Sequence, residues 1–278
     1  MAQQCRQPRY QQFSLVTRFA IALLAIPNIC AARTPQGMKL IPSGYYYPLY
    51  SKSDDSSKGN AGEPVQSYLI DAAPISNEDY LLFVRKNTKW QRSNVKSLFA
   101  NRSYLGHWKS DLELGDKAPK KAPVTNVSWF SARAYCTSLQ KRLPTTAEWE
   151  YVASADIKSR YAAQEDDQYA KKILEWYGKP NELPLSLVRR NVPNFYGVYD
   201  LHGLVWEWVQ DFNTALVTGE SRGDSSMERQ LYCGSGAVGS SDFRNYAAFM
   251  RYSFRSSLKA NYCIENLGFR CVRDIKGD

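Results

Sequence analysis

The residues best suited to chemistry sit in one short run, "YDLHGLVWEWVQDF" (199–212), where Glu207 lies between Trp206 and Trp208. A carboxylate between two indoles is either a buried, paired charge or a ligand for a cation. Thiols are the next candidates. Six cysteines occur, and none form the CxxC pairs that hold zinc. His107 and His202 are the only histidines, too few for a two-histidine, one-carboxylate iron centre unless both converge on it. His202 lies in the turn before Glu207 and reads as a satisfied loop histidine; His107, in "GHW", is placed to stack on Trp108. GxSxG, HExxH and P-loop spacings are all missing, so hydrolase and nucleotide chemistry have no support.

Elements must position these groups. "MKLIPSGYYYPL" (38–49) alternates and turns like an opening strand, "SKSDDSSKGNAG" (51–62) reads as a loop, and "QSYLID" as a short strand. Ser76 and Asp79 have capping-box spacing, with Tyr80, Phe83 and Val84 on one helical face. The polar, Pro-punctuated "GHWKSDLELGDKAPKKAP" is a long connection. Ser128 then caps a helix whose Ala132, Tyr135, Cys136 and Leu139 recur at three-and-four spacing. Thr145 with Glu148 makes a second capping box, turning Trp149, Val152 and Ala153 inward. "QEDDQYAKK" reads as a solvated charged segment, followed by short strands and loops up to "ENLGFRCVRD". Strands and helices do not alternate as a parallel sheet requires, so the class is α+β without internal repeats.

Composition bounds the rest. Across 278 residues, 44% are hydrophobic and 13% aromatic, enough for a real core built from large rings. Arg6, Arg9 and Arg18 precede the apolar run Phe19–Ile26, then Pro27 and the small-residue exit Cys30-Ala31-Ala32. That is the pattern of an export signal; the run is shorter than the ~20 apolar residues a membrane span needs. We expect residues 1–32 to be a signal peptide cleaved after Ala32, a periplasmic or secreted mature chain, and no stable membrane span. Cleavage lowers the net charge of +9 by three. The remaining basic residues are scattered, without arginine–aromatic ladders, which argues against nucleic acid as a partner. Cys136, Cys233, Cys263 and Cys271 stay in the mature chain, where an oxidising compartment allows three pairings.

Three blocks in order resemble the formylglycine-generating-enzyme family, the sulfatase-modifying-factor domain. They are "PVTNVSWFSARAYC…KRLPTTAEWEYVA" (123–153), "YGVYDLHGLVWEWVQDF" (196–212) and "RSS…ENLGFRC" (255–271). The resemblance implies an elaborated C-type-lectin-like α+β fold with little regular secondary structure, as one domain over residues 33–278. It also implies a structural calcium held by the Asp200 side chain, the Gly203 and Val205 carbonyls and the Glu207 side chain. Hard oxygen ligands from a tight turn suit that ion. The family's asparagine after the glycine is Leu204 here. The resemblance further implies a disulfide between Cys136 and Cys271. A second family disulfide is missing as a unit, since its positions are Ala153 and Tyr252.

The family's oxidases bind Cu(I) through two cysteines five residues apart, because soft thiolates suit that ion. Here the region reads "YCGSGAVGSSDFRNYAAFMRYSFRSS", and the aligned positions fall on Val238 or Asp242 and on Ala247. Copper is therefore not expected. Cys233 could pair with Cys263 or stay a free thiol. Ser235, Arg255 and Ser256 match positions near the family's substrate cleft, where they could hydrogen-bond a client polypeptide; the alternative for Arg255 is a core ion pair. Resemblance to an exported bacterial branch found beside copper nitrite reductases implies a binding or maturation factor for a periplasmic client, such as a copper or sulfatase-type enzyme. The alternative is an oxidase acting on a protein or peptide-derived substrate through a non-cysteine site. Sugar binding through a lectin-like calcium is a weaker reading, since such an ion needs an open face. The residues leave open whether any catalysis survives.

Overall fold

The computed structural model describes residues 35–47, 62–180, 182–213 and 243–275, which lie in one compact unit, Thr34–Asp278. The expected signal peptide and the 51–61 part of the expected loop fall outside the described residues, as do Cys233 and Ser235. No helix among the described residues is long and apolar enough to cross a membrane.

Among the described residues, seven short strands and six α-helices carry the frame. β1 (Met38–Ile41), β4 (Tyr68–Asp71) and β7 (Val272–Asp274) form an antiparallel sheet in the order β1-β4-β7. β4 is the middle strand, and its Tyr68, Ile70 and Asp71 are buried. The register Ile70↔Val272 thus ties β4 to a strand far along the chain. β2 (Gly44–Tyr46) pairs antiparallel with β3 (Glu63–Val65), and β5 (Trp206–Glu207) runs parallel to β6 (Leu267–Gly268). Pro42 separates β1 from β2 within the expected opening strand. A Cβ at Gly268 would lie 2.7 Å from the Val124 carbonyl oxygen, so the β5–β6 pair can close down only on a glycine.

Three helices form as the caps predict. α1 (Asn77–Lys86) starts at Ser76, whose Oγ accepts from the Asp79 N–H, and it buries Tyr80, Phe83 and Val84. α2 (Trp129–Ser138) starts at Ser128 and buries Ala132, Tyr135 and Cys136. Leu139, expected on that inner face, is 42% exposed because the helix ends at it. α3 (Thr146–Ala153) opens with the full Thr145–Glu148 capping box and buries Trp149, Val152 and Ala153. Between Gln91 and Ser128 the chain runs as turns and isolated bridges, as the long connection requires.

The other three helices correct the reading of residues 164 to 256. α4 (Ala162–Glu165) and α5 (Asp167–Tyr177) occupy the stretch taken as a solvated charged segment, with Asp166 capping α5 and Ala170 and Ile173 buried. α6 (Phe243–Ser256) replaces expected strands and loops and packs on α5. Among its described side chains the buried ones, Ala247, Arg251 and Arg255, recur every four residues. Two of the three are arginines, so hydrophobic periodicity cannot see this face.

Candidate functional site

α3 contributes two buried side chains, Glu150 and Trp149, to one connected set of contacts. Glu150 is 5% exposed and meets Arg251 of α6, whose Nε donates to both carboxylate oxygens at 2.9 Å. Arg255 Nη1, one turn further along, donates to Glu150 Oε1 at 2.6 Å. Arg251 Nη1 also donates to the Tyr177 hydroxyl at 3.1 Å, which fixes α5 to the same cluster. Burial by itself would raise the Glu150 carboxyl, but the two guanidinium groups outweigh it and hold it below the ordinary carboxylate range. Two cations facing one carboxylate explain how a helix with arginines on its inner face can be buried.

The second network is built on Glu207. Its side chain and that of Arg270 are fully buried. Arg270 Nε donates to Oε2 at 2.7 Å and Nη2 to Oε1 at 2.8 Å, a bidentate pair. Arg270 also reaches the carbonyls of Asp71 (3.2 Å) and Tyr199 (2.8 Å), so one guanidinium joins the three-stranded sheet, the 199–207 turn and β6. Trp149 Nε1 donates to Glu207 Oε2 at 2.8 Å. The guanidinium of Arg255 lies 4.9 Å from the centre of the Trp149 ring, so this tryptophan links the two networks. His202 stands edge-on to the same ring at 5.6 Å, with Nε2 3.0 Å from the Ala153 carbonyl. Burial, reinforced by Arg251, lowers its pKa to about 3.

The structure distributes the residues singled out in the sequence as follows. Glu207 is a paired charge. Asp200, with φ +58°, accepts from the Arg189 N–H at 2.6 Å and from Asn191 Nδ2 at 3.2 Å. Gly203, with φ +101°, makes the turn between them, and Val205 is buried. Both carboxylates of the calcium set thus already hold donors, and one faces a guanidinium. As folded, these residues do not fit a four-ligand calcium cage unless Arg270 gives way. Arg255 is not open to a client, since it completes the core ion pair with Glu150. Ser256 Oγ donates to the Tyr252 carbonyl one turn back. The structure therefore does not bring Arg255 and Ser256 together as a cleft, and Ser235 is outside the described residues.

Cys136 and Cys271 form a disulfide. Cys263 is a free, buried thiol, and burial pushes its pKa up to about 12. Cys233, the other cysteine named for this pairing, lies outside the described residues. Among the described residues no cluster of three or more histidine, cysteine or acidic side chains could hold a metal ion. His107 lies edge-on to Trp108 at 6.5 Å, while His202 packs on Trp149, so the two histidines do not converge.

Sequence reasoning missed Glu150, Arg251 and Arg270. The available signal for Arg270 was its place inside "GFRC", between buried Phe269 and Cys271. A charged residue there has to find a partner or forfeit its hydration.

A mixed frame of short strands and capped helices, tied by buried arginine–carboxylate pairs and one long-range disulfide, defines a formylglycine-generating-enzyme-like domain. Residues 27–275 match the family described as sulfatase-modifying factor enzyme 1-like domain, and the chain belongs to it. It is 33% identical to the formylglycine-generating enzyme of Mus musculus over 55% of this chain and 44% of that protein. It thus spans under half the length of that relative. The inactive C-alpha-formylglycine-generating enzyme 2 of Bos taurus is 27% identical over 80% of this chain and 84% of that protein. The solved structure of PvdO from Pseudomonas aeruginosa is 16% identical with a TM-score of 0.44, covering 86% of this chain and 94% of that one.

Proposed function

We propose that this chain is an exported accessory factor that binds a periplasmic client polypeptide and assists its maturation without copper–cysteine oxidation. The observation that carries this reading is the state of its thiols. Of the four cysteines in the expected mature chain, two are joined to each other and Cys263 is buried and held protonated. The aligned copper positions are Val238 or Asp242 and Ala247. A domain of this family without its thiolate pair keeps the binding scaffold and lacks the metal that activates oxygen. The similarity to a relative named as inactive supports this reading.

Because Arg255 is consumed in the core, we place the client on the surface groove beside α2. Its volume is about 770 Å³, and Trp90, Phe99 and Phe130 line it together with Lys89, Lys96 and Arg133, with no acidic side chain among its lining residues. Aromatic and basic groups in one groove suit an extended acidic segment.

The test uses the exported protein purified without added metals. We expect no stoichiometric copper or iron by elemental mass spectrometry, and saturable binding of a fluorescein-labelled Glu/Phe-rich peptide that weakens with salt and with Lys89→Glu plus Lys96→Glu. Stoichiometric copper or iron, or oxygen uptake with a peptide substrate, would replace this reading with an oxidase using a non-cysteine site. Peptide binding indifferent to both charge reversals would remove the groove.

A further inference from the structure

Residues 80–110 include no aspartate or glutamate, and neither do residues 117–147 or 243–264. The fold brings parts of all three stretches together. The Asn101 N–H donates to the Asn261 carbonyl at 2.9 Å and the Trp129 N–H to the Ala260 carbonyl at 3.0 Å. Phe99 stands edge-on to Phe130 at 5.4 Å. Acid-free sequence thus becomes acid-free surface, bordered by Asp111, which accepts from the N–H and the Oγ of Ser93.

A tight turn stands in this region. The N–H groups of Phe99 and Ala100 both donate to the Lys96 carbonyl, and Phe99 also packs edge-on against Trp90 at 6.2 Å. The turn is braced from within, yet it presents Leu98 to water. At 71% exposure this is the most exposed large apolar side chain among the described residues. Lys96 precedes it in the turn, Arg102 follows Asn101, and Lys259 lies two residues before Asn261, over the Tyr262 ring at 5.9 Å. All three cations are exposed, and none belongs to an ion pair among the described residues. A single exposed leucine is ordinary; one ringed by unpaired cations on acid-free surface marks a place of contact.

We propose that this turn docks the protein on a membrane surface carrying anionic phospholipid. Leu98 enters the boundary between headgroups and acyl chains, while Lys96, Arg102 and Lys259 meet the phosphates. A bilayer fits better than an acidic polypeptide, because Leu98, Arg102 and Lys259 lie outside the α2 groove. A leucine outside that recess is buried by entering a soft surface. One leucine and three cations give a reversible attachment that lies on the bilayer without spanning it. Only Lys96 is shared with the groove, so the docking does not depend on the accessory-factor reading.

The test is cosedimentation of the exported protein with vesicles of phosphatidylcholine, alone or with an equal part of phosphatidylglycerol. We expect saturable binding to the mixed vesicles, about tenfold weaker on phosphatidylcholine and falling steeply from about 0.05 to 0.5 M salt. Leu98→Ser, and separately Arg102→Glu with Lys259→Glu, should each lower that affinity at least about tenfold, with an unchanged unfolding midpoint. Leu98→Trp should raise it, a gain that a misfolded variant could not give. The Glu/Phe-rich peptide should bind Leu98→Ser as it binds the wild type, which separates failure of this proposal from failure of the groove. Equal binding to both vesicle types, or no binding, would overturn the proposal. So would binding indifferent to Leu98, as attachment through the apolar run at 19–26 would give. Loss of peptide binding in Leu98→Ser would assign the turn to a polypeptide instead.

Discussion

At the scale of single residues, charge pairing decides the candidate site. Removing one member of a buried pair leaves the other uncompensated and costs about 3–5 kcal/mol. Glu207→Ala should therefore destabilise the fold by about that much in chemical unfolding. Adding Arg270→Met to it should recover part of the loss, because no bare guanidinium is then left in the core. One calcium per chain in the wild type that disappears in Glu207→Ala would instead restore the ligand role the family resemblance implied. The histidines give a second expectation. Both have folded pKa values below the unfolded 6.5, His107 at about 4 and His202 at about 3. As pH falls below 6.5 the unfolded chain takes up protons that the folded chain refuses. Stability contributed by neutral burial is thus complete above pH 6.5 and lost on acidification towards pH 4 and then 3. Each histidine should add up to about 1.4 kcal/mol per pH unit to that slope. Unfolding measured between pH 7 and 4 should show the slope reduced in His202→Phe; an unchanged slope would mean that the ring is already solvated.

At the scale of elements, the helices divide by what fills their inner faces. α1, α2 and α3 bury apolar or aromatic side chains and announce themselves by caps at Ser76, Ser128 and Thr145. All three were legible because cap chemistry and three-and-four spacing act within a few residues of chain. α6 was not legible, since Arg251 and Arg255 look solvent-facing until Glu150, 101 residues away from Arg251, is brought against them. We expect Glu150→Gln to weaken the seating of α6 on α5, seen as faster amide exchange in both helices while α1 stays protected. The disulfide acts at the same scale. Cys136 and Cys271 are separated by 135 residues, and in the chain-entropy picture a loop of this size gains about 4–5 kcal/mol. Replacing both cysteines by serine should lower the unfolding midpoint accordingly, without a change in metal content.

At the scale of the whole molecule, the first and last strands meet in one sheet and the disulfide holds α2 against the end of the chain. Arg142 adds to that closure by pairing with Glu148 at 2.7 Å, beside the Arg142↔Val272 bridge. A domain closed in this way suits an oxidising compartment, and export is the matching expectation. The intact mass of protein recovered from the periplasm should correspond to a chain that starts at Arg33; a full-length mass in the membrane fraction would mean that the N-terminal segment is retained as an anchor. If the accessory reading holds, that protein should bind acidic peptide while carrying no redox metal.

The sequence alone determined the α+β class, the family, three capped helices and the loss of the copper-binding cysteines, and resemblance supplied the Cys136–Cys271 pairing. These depend on local propensities or on residue identity at motif positions. Only the tertiary structure set Arg270 against Glu207, Glu150 against Arg255 and Asn126 against His107. The reason is common to all three. A polar side chain's role is fixed by the group that faces it, and Arg270, Glu150 and Asn126 lie 63, 105 and 19 residues away along the chain.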